Sequence, residues 1–416
     1  MLSRRKMLTA GAGIVSAAAL AACDNDAKGT WASNGSSPGA GGNGADGGGG
    51  GGGGGTPAKV TVAPAADSKD VPPTSQVTVA IEHGTLSTVT VAANGKNLDG
   101  KLADDKHNWT STGALTYGQT YTVTVTGVDA AGKDVNETSS FTTLKPSAVA
   151  SITFQANPML ALKNGATYGV GQPVIVFFNK AVKNQDAAER AMKVTSSPGV
   201  EGKWHWVSNQ SAHWRPEKYW TKGTTVKVAV DLLGVDLGNG VYGGGNYSAD
   251  FSIGPSRIAI ADSNTHQMEC YVDGEMVKKI PVSLGKGGTT TGSKGETIDF
   301  FTRSGVHVLM TKEPLVTMSS ASYGITDKNN PNYYEEKIRL ACRISLSGEY
   351  VHLADWNIPS HGKANTSHGC INVAPANAQW FYDTFDTGDV VEVRNTPKQL
   401  PLNDGLGDWN VPWAQW

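Results

Sequence analysis

The chain has 416 residues and a nearly balanced charge, with 35 Lys and Arg against 37 Asp and Glu and a formal net charge of -2. This balance argues against a nucleic-acid-binding protein, which needs a concentrated positive surface. The length is sufficient for two to four domains, each with its own buried core. Many of the 51 glycines lie near the N-terminus, including the unbroken run 47–55, so the rest of the chain has an ordinary composition.

Residues 1–22 predict an export signal that is removed from the mature protein. The basic residues Arg4, Arg5 and Lys6 precede a long uncharged stretch that ends in small residues. The Arg pair is typical of twin-arginine signals but also occurs in other charged leaders. No later stretch approaches the roughly 18 uncharged residues that a membrane span needs.

The segment around Cys23 reads Leu20-Ala21-Ala22-Cys23 and resembles a bacterial lipobox, in which the cysteine is acylated and becomes the mature N-terminus. We therefore expect a lipid on Cys23 that anchors the protein to the outer face of the cytoplasmic membrane. A plain signal peptide with an incidental cysteine is the alternative. Residues 23–57 are too poor in apolar side chains to form a core and predict a flexible tether, with an r.m.s. span on the order of 30 Å.

Two consecutive segments, 58–147 and 148–254, predict tandem β-sandwich modules. Both alternate β-branched and polar residues, which is typical of strands with one buried face. Trp109 precedes Gly118 by nine residues, and Trp214 precedes Gly223 by nine. Apolar residues follow each glycine at offsets of three, five and seven, so the two segments have the register of an internal repeat.

The second module is rich in aromatic residues, and two interpretations remain open for them. They could form a carbohydrate-binding face, or they could pack in the core and its hairpins. The residues concerned are Trp204, Trp206, Trp214, Tyr219 and Trp220.

From residue 255 the chain predicts strands separated by irregular loops, with Asp273-Gly274 as a hairpin turn. We predict strands over 257–261, 269–272, 276–282, 306–310 and 389–393, and a short helix over 376–385.

His352, His361, His368 and Cys370 fall within nineteen residues of one another. A thiol titrates near 8.5, so a nearby imidazole is the natural base for converting it to a nucleophile. Gly369 would let the backbone adopt a positive φ and approach a substrate closely. Two alternatives remain open: His352, His368 and Cys370 could ligate zinc, or the cysteine could simply be buried.

One segment resembles the signature of the YkuD-type L,D-transpeptidases of bacterial cell walls. It has the sequence Ser367-His368-Gly369-Cys370-Ile371-Asn372, with His352 eighteen residues before the cysteine. The resemblance extends over 255–416. It implies a mostly β protein, with two tandem Ig-like β-sandwich modules ahead of a β-rich catalytic domain over 255–394 and a Trp-rich tail over 395–416 that packs on the preceding domains.

The resemblance also implies a reaction. Cys370 would attack the carbonyl of the third residue of a peptidoglycan stem and expel the terminal D-Ala, which leaves a thioester. The amine of a neighbouring stem would then attack the thioester and form a 3→3 cross-link. His352 would serve as base and acid, and the backbone carbonyl of Ser347 would fix its tautomer. No cofactor and no metal are expected.

The remaining site residues follow from the same resemblance. Tyr334 would be a lid tyrosine that lines the site and helps to hold the oxyanion. His368 and Gly369 would shape the nucleophile loop, and Ser367, His368 and Asn372 would contact substrate. Carbapenem-type β-lactams would acylate Cys370. The alternatives are an L,D-carboxypeptidase, which resolves the same acyl-enzyme with water, and a non-catalytic wall-binding protein.

Two further features concern the catalytic segment. Residues 312–334 predict a lid loop, because loops of this length in a compact domain usually have a function. Cys270 and Cys342 could form a disulfide in an exported protein, or each could be buried separately.

Overall fold

The computed structural model describes residues 29–32 and 56–416. The predicted export signal, Cys23 and most of the predicted tether lie outside these residues. The chain divides into two compact units, one up to Lys145 and the other from Pro146 to Trp416. In the part of the chain that is described, no helix is long and apolar enough to cross a membrane.

The first unit is a β-sandwich of two sheets, with strand orders β1-β2-β3-β7-β6 and β5-β4-β8-β9. Alternate side chains of its strands, such as Val79, Val91 and Val123, are buried in one core. Part of the predicted tether belongs to this sheet, because β1 pairs with β2 along its edge. The strands are β1 (Gly29–Ala32), β2 (Lys59–Ala63), β3 (Thr78–Glu82), β4 (Gly84–Ala93), β5 (Lys96–Asn97), β6 (Gly100–Leu102), β7 (Asn108–Ser111), β8 (Thr120–Asp129) and β9 (Asp134–Thr142).

The second unit begins with another sandwich, whose sheets have the orders β12-β11-β14-β17-β16 and β13-β20-β18-β15, beside the short pair β10-β19. A single short helix, α1 (Gln185–Arg190), precedes β15. The strands are β10 (Ala148–Ala150), β11 (Ile152–Asn157), β12 (Leu160–Ala161), β13 (Thr167–Tyr168), β14 (Val174–Phe178), β15 (Met192–Ser197), β16 (Gly202–Trp206), β17 (Ser211–Pro216), β18 (Thr225–Asp231), β19 (Val241–Gly243) and β20 (Asn246–Ile253).

The sequence repeat corresponds to equivalent positions of the two sandwiches. Trp109 lies on β7 and Trp214 on β17, and both are buried. Each indole covers a glycine of the adjacent strand, Gly100 or Gly202, where a Cβ would come within 2.2 Å of the ring. A side chain at either glycine would displace the tryptophan.

The aromatic residues of the second module pack in or against its core, as the packing interpretation predicted. Trp214 and Trp220 are buried and stacked, with ring centroids 5.4 Å apart. Trp204, Trp206 and Tyr219 are partly buried against the same core.

The remainder of the second unit is built on a nine-stranded sheet with the order β26-β31-β21-β22-β23-β30-β29-β28-β27, beside the hairpin β24-β25. Helix α2 (Pro375–Thr384) begins with a proline and buries Ala378 and Phe381 against the sheet core. The strands are β21 (Arg257–Asp262), β22 (Gln267–Val272), β23 (Glu275–Ser283), β24 (Thr289–Thr291), β25 (Thr297–Asp299), β26 (Gly305–Val308), β27 (Thr311–Ser319), β28 (Glu335–Arg343), β29 (Tyr350–Leu353), β30 (Ile371–Val373) and β31 (Val390–Arg394), and the 3-10 helices are Ser320–Tyr323, Ile358–Ser360 and Asp408–Asn410.

The predicted lid is shorter than the sequence suggested. Its first part forms β27, the edge strand of the sheet, which pairs with β28. Pro314 lies within this strand, where a proline without an N–H is tolerated because the strand is at the edge of the sheet. The segment between the strands is the 3-10 helix Ser320–Tyr323 and the loop 324–334.

The C-terminal tail packs on the second sandwich. Asp408 and His213 are both buried, with the carboxylate oxygen 2.6 Å from Nδ1. The Arg215 guanidinium lies 4.3 to 5.4 Å from the rings of three tail tryptophans, Trp409, Trp413 and Trp416. The tail therefore joins the sandwich to the nine-stranded sheet.

Candidate active site

A cavity of about 290 Å³ lies beside strands β28, β29 and β30. Each site residue predicted from sequence lines it: Tyr334, Ser347, His352, Ser367, His368, Gly369, Cys370 and Asn372. His361 does not line the cavity, and its Nε2 lies 2.9 Å from Oδ1 of Asn357.

The parallel pairing of β29 with β30 brings the histidine and the cysteine together. His352 lies opposite Asn372, and Val351 lies opposite Ile371. Cys370 directly precedes β30, so it neighbours Tyr350 in the same register. Because side chains alternate along a strand, Cys370 and Asn372 share the face that carries His352, and the intervening Ile371 enters the core.

The nucleophile loop is held from within by a hydroxyl. Ser367 Oγ donates to the carbonyl of Cys370 at 2.6 Å and accepts from the N–H of Gly369 at 3.1 Å. Gly369 has φ +138°, a conformation that side chains rarely adopt. Thr302 Oγ1 donates to the Gly369 carbonyl at 2.8 Å, so the loop is also fixed to a neighbouring segment.

The thiol of Cys370 is partly buried and is protonated in the resting site. Burial raises the pKa of the thiol to about 12. The thiol donates to the carbonyl of Gly348, with Sγ and O 3.6 Å apart. The nucleophile therefore has to be deprotonated by a base within the site.

His352 is presented in the tautomer that such a base requires. Its Nδ1 lies 2.8 Å from the carbonyl of Leu353, which only accepts, so Nδ1 carries the proton and Nε2 has the free lone pair. Burial lowers the pKa of His352 to about 4, so the ring is neutral at physiological pH. Trp356 stacks on the imidazole, with ring centroids 5.9 Å apart.

The prediction that the Ser347 carbonyl fixes the tautomer of His352 is wrong. The carbonyl that orients His352 is that of Leu353, the next residue along β29. A strand carbonyl adjacent to the histidine is within reach of its ring, whereas Ser347 lies in the turn before the strand. The N–H and Oγ of Ser347 both donate to the carboxylate of Asp404, each at 2.6 Å.

Tyr334 ends the lid loop and faces the nucleophile loop. Its ring centroid is 5.2 Å from that of His368 and 6.2 Å from that of Tyr323. Burial raises the pKa of Tyr334 well above its usual value, so its hydroxyl remains a hydrogen-bond donor. Burial also lowers the pKa of His368 to about 4, and the Lys286 ammonium lies 3.3 Å from its Nε2.

The zinc alternative is not supported by the geometry. Within the described residues, no three His, Cys, Asp or Glu side chains are arranged to hold a metal ion. Cys270 and Cys342 are free and fully buried, which is the second of the two alternatives for this pair. Burial raises the pKa of each thiol to about 12, so neither is a competing nucleophile.

Sequence reasoning missed several cavity residues. Trp356 follows His352 by four residues, and an aromatic residue so close to the candidate base was an available signal. Gly348 and Glu349 also line the cavity and gave no such signal, because their place beside Cys370 depends on how distant segments pair. Asn372 Oδ1 is buried and has no hydrogen-bond partner among the described residues, which suits a group that awaits a substrate donor.

Comparison with known proteins places these features in a family. A model of the bacterial Ig domain matches residues 68–236, and a model of the L,D-transpeptidase catalytic domain matches residues 256–393. The chain is 40% identical to L,D-transpeptidase 2 of Mycobacterium tuberculosis (strain CDC 1551 / Oshkosh), over 86% of this chain and 83% of the relative. It is 32% identical to L,D-transpeptidase 5 of M. tuberculosis (strain ATCC 25618 / H37Rv), over 86% of this chain and 76% of the relative.

A solved structure of the LD transpeptidase LdtMt1 in complex with imipenem is 32% identical, covers 59% of this chain and 100% of that chain, and has a TM-score of 0.48. The fold is mostly β, with Ig-like modules ahead of the catalytic sheet, and the catalytic-domain match includes both His352 and Cys370. Because the 40% identity extends over most of both chains, this chain belongs to the L,D-transpeptidase family.

Proposed function

We propose that this chain forms 3→3 cross-links in peptidoglycan through a thioester on Cys370. The observation that carries the proposal is the tautomer of His352. The Leu353 carbonyl holds the proton on Nδ1, which leaves Nε2 basic on the strand beside the cysteine. A neutral imidazole next to a protonated thiol is the arrangement that base-assisted nucleophilic attack requires.

In the first half-reaction His352 Nε2 takes the proton of the thiol as Sγ attacks the carbonyl of the third stem residue. The Tyr334 hydroxyl and the Cys370 N–H stabilise the oxyanion. The imidazolium then protonates the leaving amine, and D-Ala departs. His352 is again neutral, and the thioester remains on Cys370.

In the second half-reaction an amine of an acceptor stem attacks the thioester, and His352 removes its proton. Tyr334 of the lid loop and Trp356 line the cavity around Cys370 and would restrict the access of water to the thioester. Asn372 Oδ1 is positioned to accept a hydrogen bond from a stem amide.

The test compares the soluble form, residues 58–416, with its Cys370→Ala variant after incubation with a purified disaccharide-tetrapeptide. Mass spectrometry should detect a dimer that lacks one D-Ala, and the variant should form none. Equal dimer formation by the variant would overturn the proposal. A tripeptide without dimer would instead establish the carboxypeptidase activity, in which water resolves the same acyl-enzyme.

We further propose that carbapenems acylate Cys370, because their strained carbonyl imitates the donor. Incubation should increase the intact mass by one drug molecule, and Cys370→Ala should abolish the increase.

We also propose that a lipid on Cys23 anchors the protein to the outer face of the cytoplasmic membrane, facing the cell wall. The lipobox-like text and the Gly-rich segment after it support this location. Metabolic labelling with a radioactive fatty acid should mark the full-length chain but not Cys23→Ala. Equal labelling of both would contradict the anchor.

A further inference from the structure

Two buried titratable residues next to the cavity have no role in the mechanism above. Glu349 lines the cavity and is 6% exposed, and His307 on β26 is fully buried. Glu349 Oε2 lies 3.8 Å from His307 Nδ1, which is close enough for a charge interaction but not for a hydrogen bond, and this buried oxygen has no hydrogen-bond partner among the described residues. The other carboxylate oxygen, Oε1, accepts from the N–H of Arg303 at 2.7 Å.

The surroundings of His307 require this pair to hold a proton. Nε2 lies 2.9 Å from the carbonyl of Arg303, and Nδ1 lies 3.2 Å from the carbonyl of Ile344. Both carbonyls only accept, so they favour protons on both nitrogens, and the Glu349 carboxylate is then the counter-ion. If the ring is neutral instead, the proton resides on Glu349. Either way the pair is neutral, because a second uncompensated charge in this dry site would be costly.

Burial disfavours the charged form of both groups, so it moves their pKa values in opposite directions. It raises the pKa of Glu349 to about 8 and lowers the pKa of His307. Both shifts therefore disfavour an unpaired charge on either group.

Glu349 is linked to the nucleophile through the peptide group that it forms with Gly348. The residue before it, Gly348, provides the carbonyl that accepts the Cys370 thiol. The turn is fixed on both sides, because the N–H of Glu349 donates to Ser345 Oγ at 3.0 Å and Ser347 is held by Asp404. The carboxyl group, which accepts from the Arg303 N–H, is therefore one of the contacts that fix this turn and with it the Gly348 carbonyl.

We propose that Glu349 is a positioning residue that helps to hold the Gly348 carbonyl against the Cys370 thiol, and that the single proton held by Glu349 or by His307 keeps a net negative charge away from the nucleophile. This inference rests on the proposed role of Cys370 as nucleophile.

The charged and titratable groups around Glu349 determine whether it is ionised, and its ionisation determines how readily the Cys370 thiol loses its proton. Arg303 and His307 favour its ionised form, whereas Asp404 opposes it. An ionised Glu349 in turn opposes the Cys370 thiolate. Arg343 favours the thiolate. Loss of the proton held by Glu349 or His307 should therefore raise the pH needed to ionise the Cys370 thiol.

The experiment measures alkylation of Cys370 by iodoacetamide between pH 6 and pH 10 in residues 24–416, which include β1, with the modified peptide located by mass spectrometry. Because no stem peptide is used, the result is independent of transpeptidation. Glu349→Gln retains an acceptor for the Arg303 N–H but cannot ionise. We expect it to lower the pH of half-maximal alkylation by half a unit or more. His307→Gln, which donates to the carboxylate without supplying a titrating proton, should move it in the opposite direction.

Glu349→Ala tests the positioning role, since it removes the support of the turn. We expect acylation by a carbapenem at pH 7 to fall at least tenfold, whereas Glu349→Gln should keep most of the rate.

The matched control is Asp389→Asn, which changes another buried acid whose pKa burial raises to about 7. It should lower thermal stability and leave the alkylation profile unchanged. Superimposed profiles for Glu349→Gln and the native protein, or an equal shift in Asp389→Asn, would overturn the proposal.

Discussion

At the scale of single residues, the two principal groups of the resting active site, Cys370 and His352, are both uncharged. The Cys370 thiol is protonated and the His352 imidazole is neutral, because burial disfavours both the thiolate and the imidazolium. An ion pair would react with many electrophiles, whereas a neutral pair needs a bound carbonyl to accept the developing charge. We infer that the selectivity of the nucleophile is set by this burial.

The role of His352 is tested by His352→Gln, which keeps a polar side chain but removes the base. We expect the rate of carbapenem acylation to fall by about 10²- to 10⁴-fold, the usual contribution of a positioned general base. In the native protein the rate should decrease only as the pH approaches about 4, where His352 becomes protonated. Stopped-flow acylation across pH gives both quantities. A loss of less than tenfold would exclude His352 as the base.

The same histidine makes stability depend on pH. Its pKa is about 4 in the folded chain and 6.5 as the ordinary value, so between these limits the unfolded state binds a proton that the folded state does not. Stability should therefore fall as the pH is lowered, with His352 contributing about 2 kcal/mol between pH 7 and pH 5. Urea unfolding of His352→Gln should show a smaller difference between the two pH values. An unchanged difference would contradict the assignment.

At the scale of elements, the tail connects the active site to the second sandwich. Asp404 receives two hydrogen bonds from Ser347, which lines the cavity. A few residues later Asn410 Oδ1 accepts from Val306, and Trp409 Nε1 donates to the carbonyl of Gly171. The tail is thus part of the wall of the catalytic domain as well as a contact with its neighbour.

Asp408→Ala tests the contribution of the tail. It would leave buried His213 without its partner at 2.6 Å, and we expect a loss of about 3 kcal/mol, as for other buried polar groups that lose a partner. Asp383→Ala, at an exposed position on α2, should change stability by less than about 0.5 kcal/mol. Thermal and urea unfolding measure both variants. Equal effects of the two would show that the tail adds nothing specific.

At the scale of the whole molecule, the two compact units have separate cores. The core of the first unit contains Val77 and Val123, whereas that of the second sandwich extends to Val390 of the catalytic sheet. The second sandwich and the catalytic sheet therefore depend on each other for burial of apolar surface, and the first sandwich has its own.

Truncation should reveal this difference. Residues 146–416 alone should keep the thermal midpoint of the second unit and the rate of carbapenem acylation. Residues 255–416 should unfold at a lower temperature, because the tail loses Gly171, His213 and Arg215 as partners. Calorimetry and acylation of the three chain lengths provide the test. A stable, fully active 255–416 fragment would contradict the dependence.

Local patterns of the sequence predicted much of this protein. Alternation of apolar residues and shared offsets from Trp109 and Trp214 indicated two sandwiches, because strand burial has a period of two. The short motif that ends in Cys370 and Asn372 identified the nucleophile loop and its distant histidine. Each of these patterns can be recognised within a segment of about twenty residues, so no knowledge of the fold was needed.

The tertiary structure decided what depends on distant strands. The lid is shorter than predicted because residues 312–319 pair with β28 as part of strand β27, and Glu349 meets His307 of β26. Each of these features requires two segments to be placed side by side. Sequence patterns record which face of a strand is buried, but the partner of a buried polar group is determined only when the strands pair.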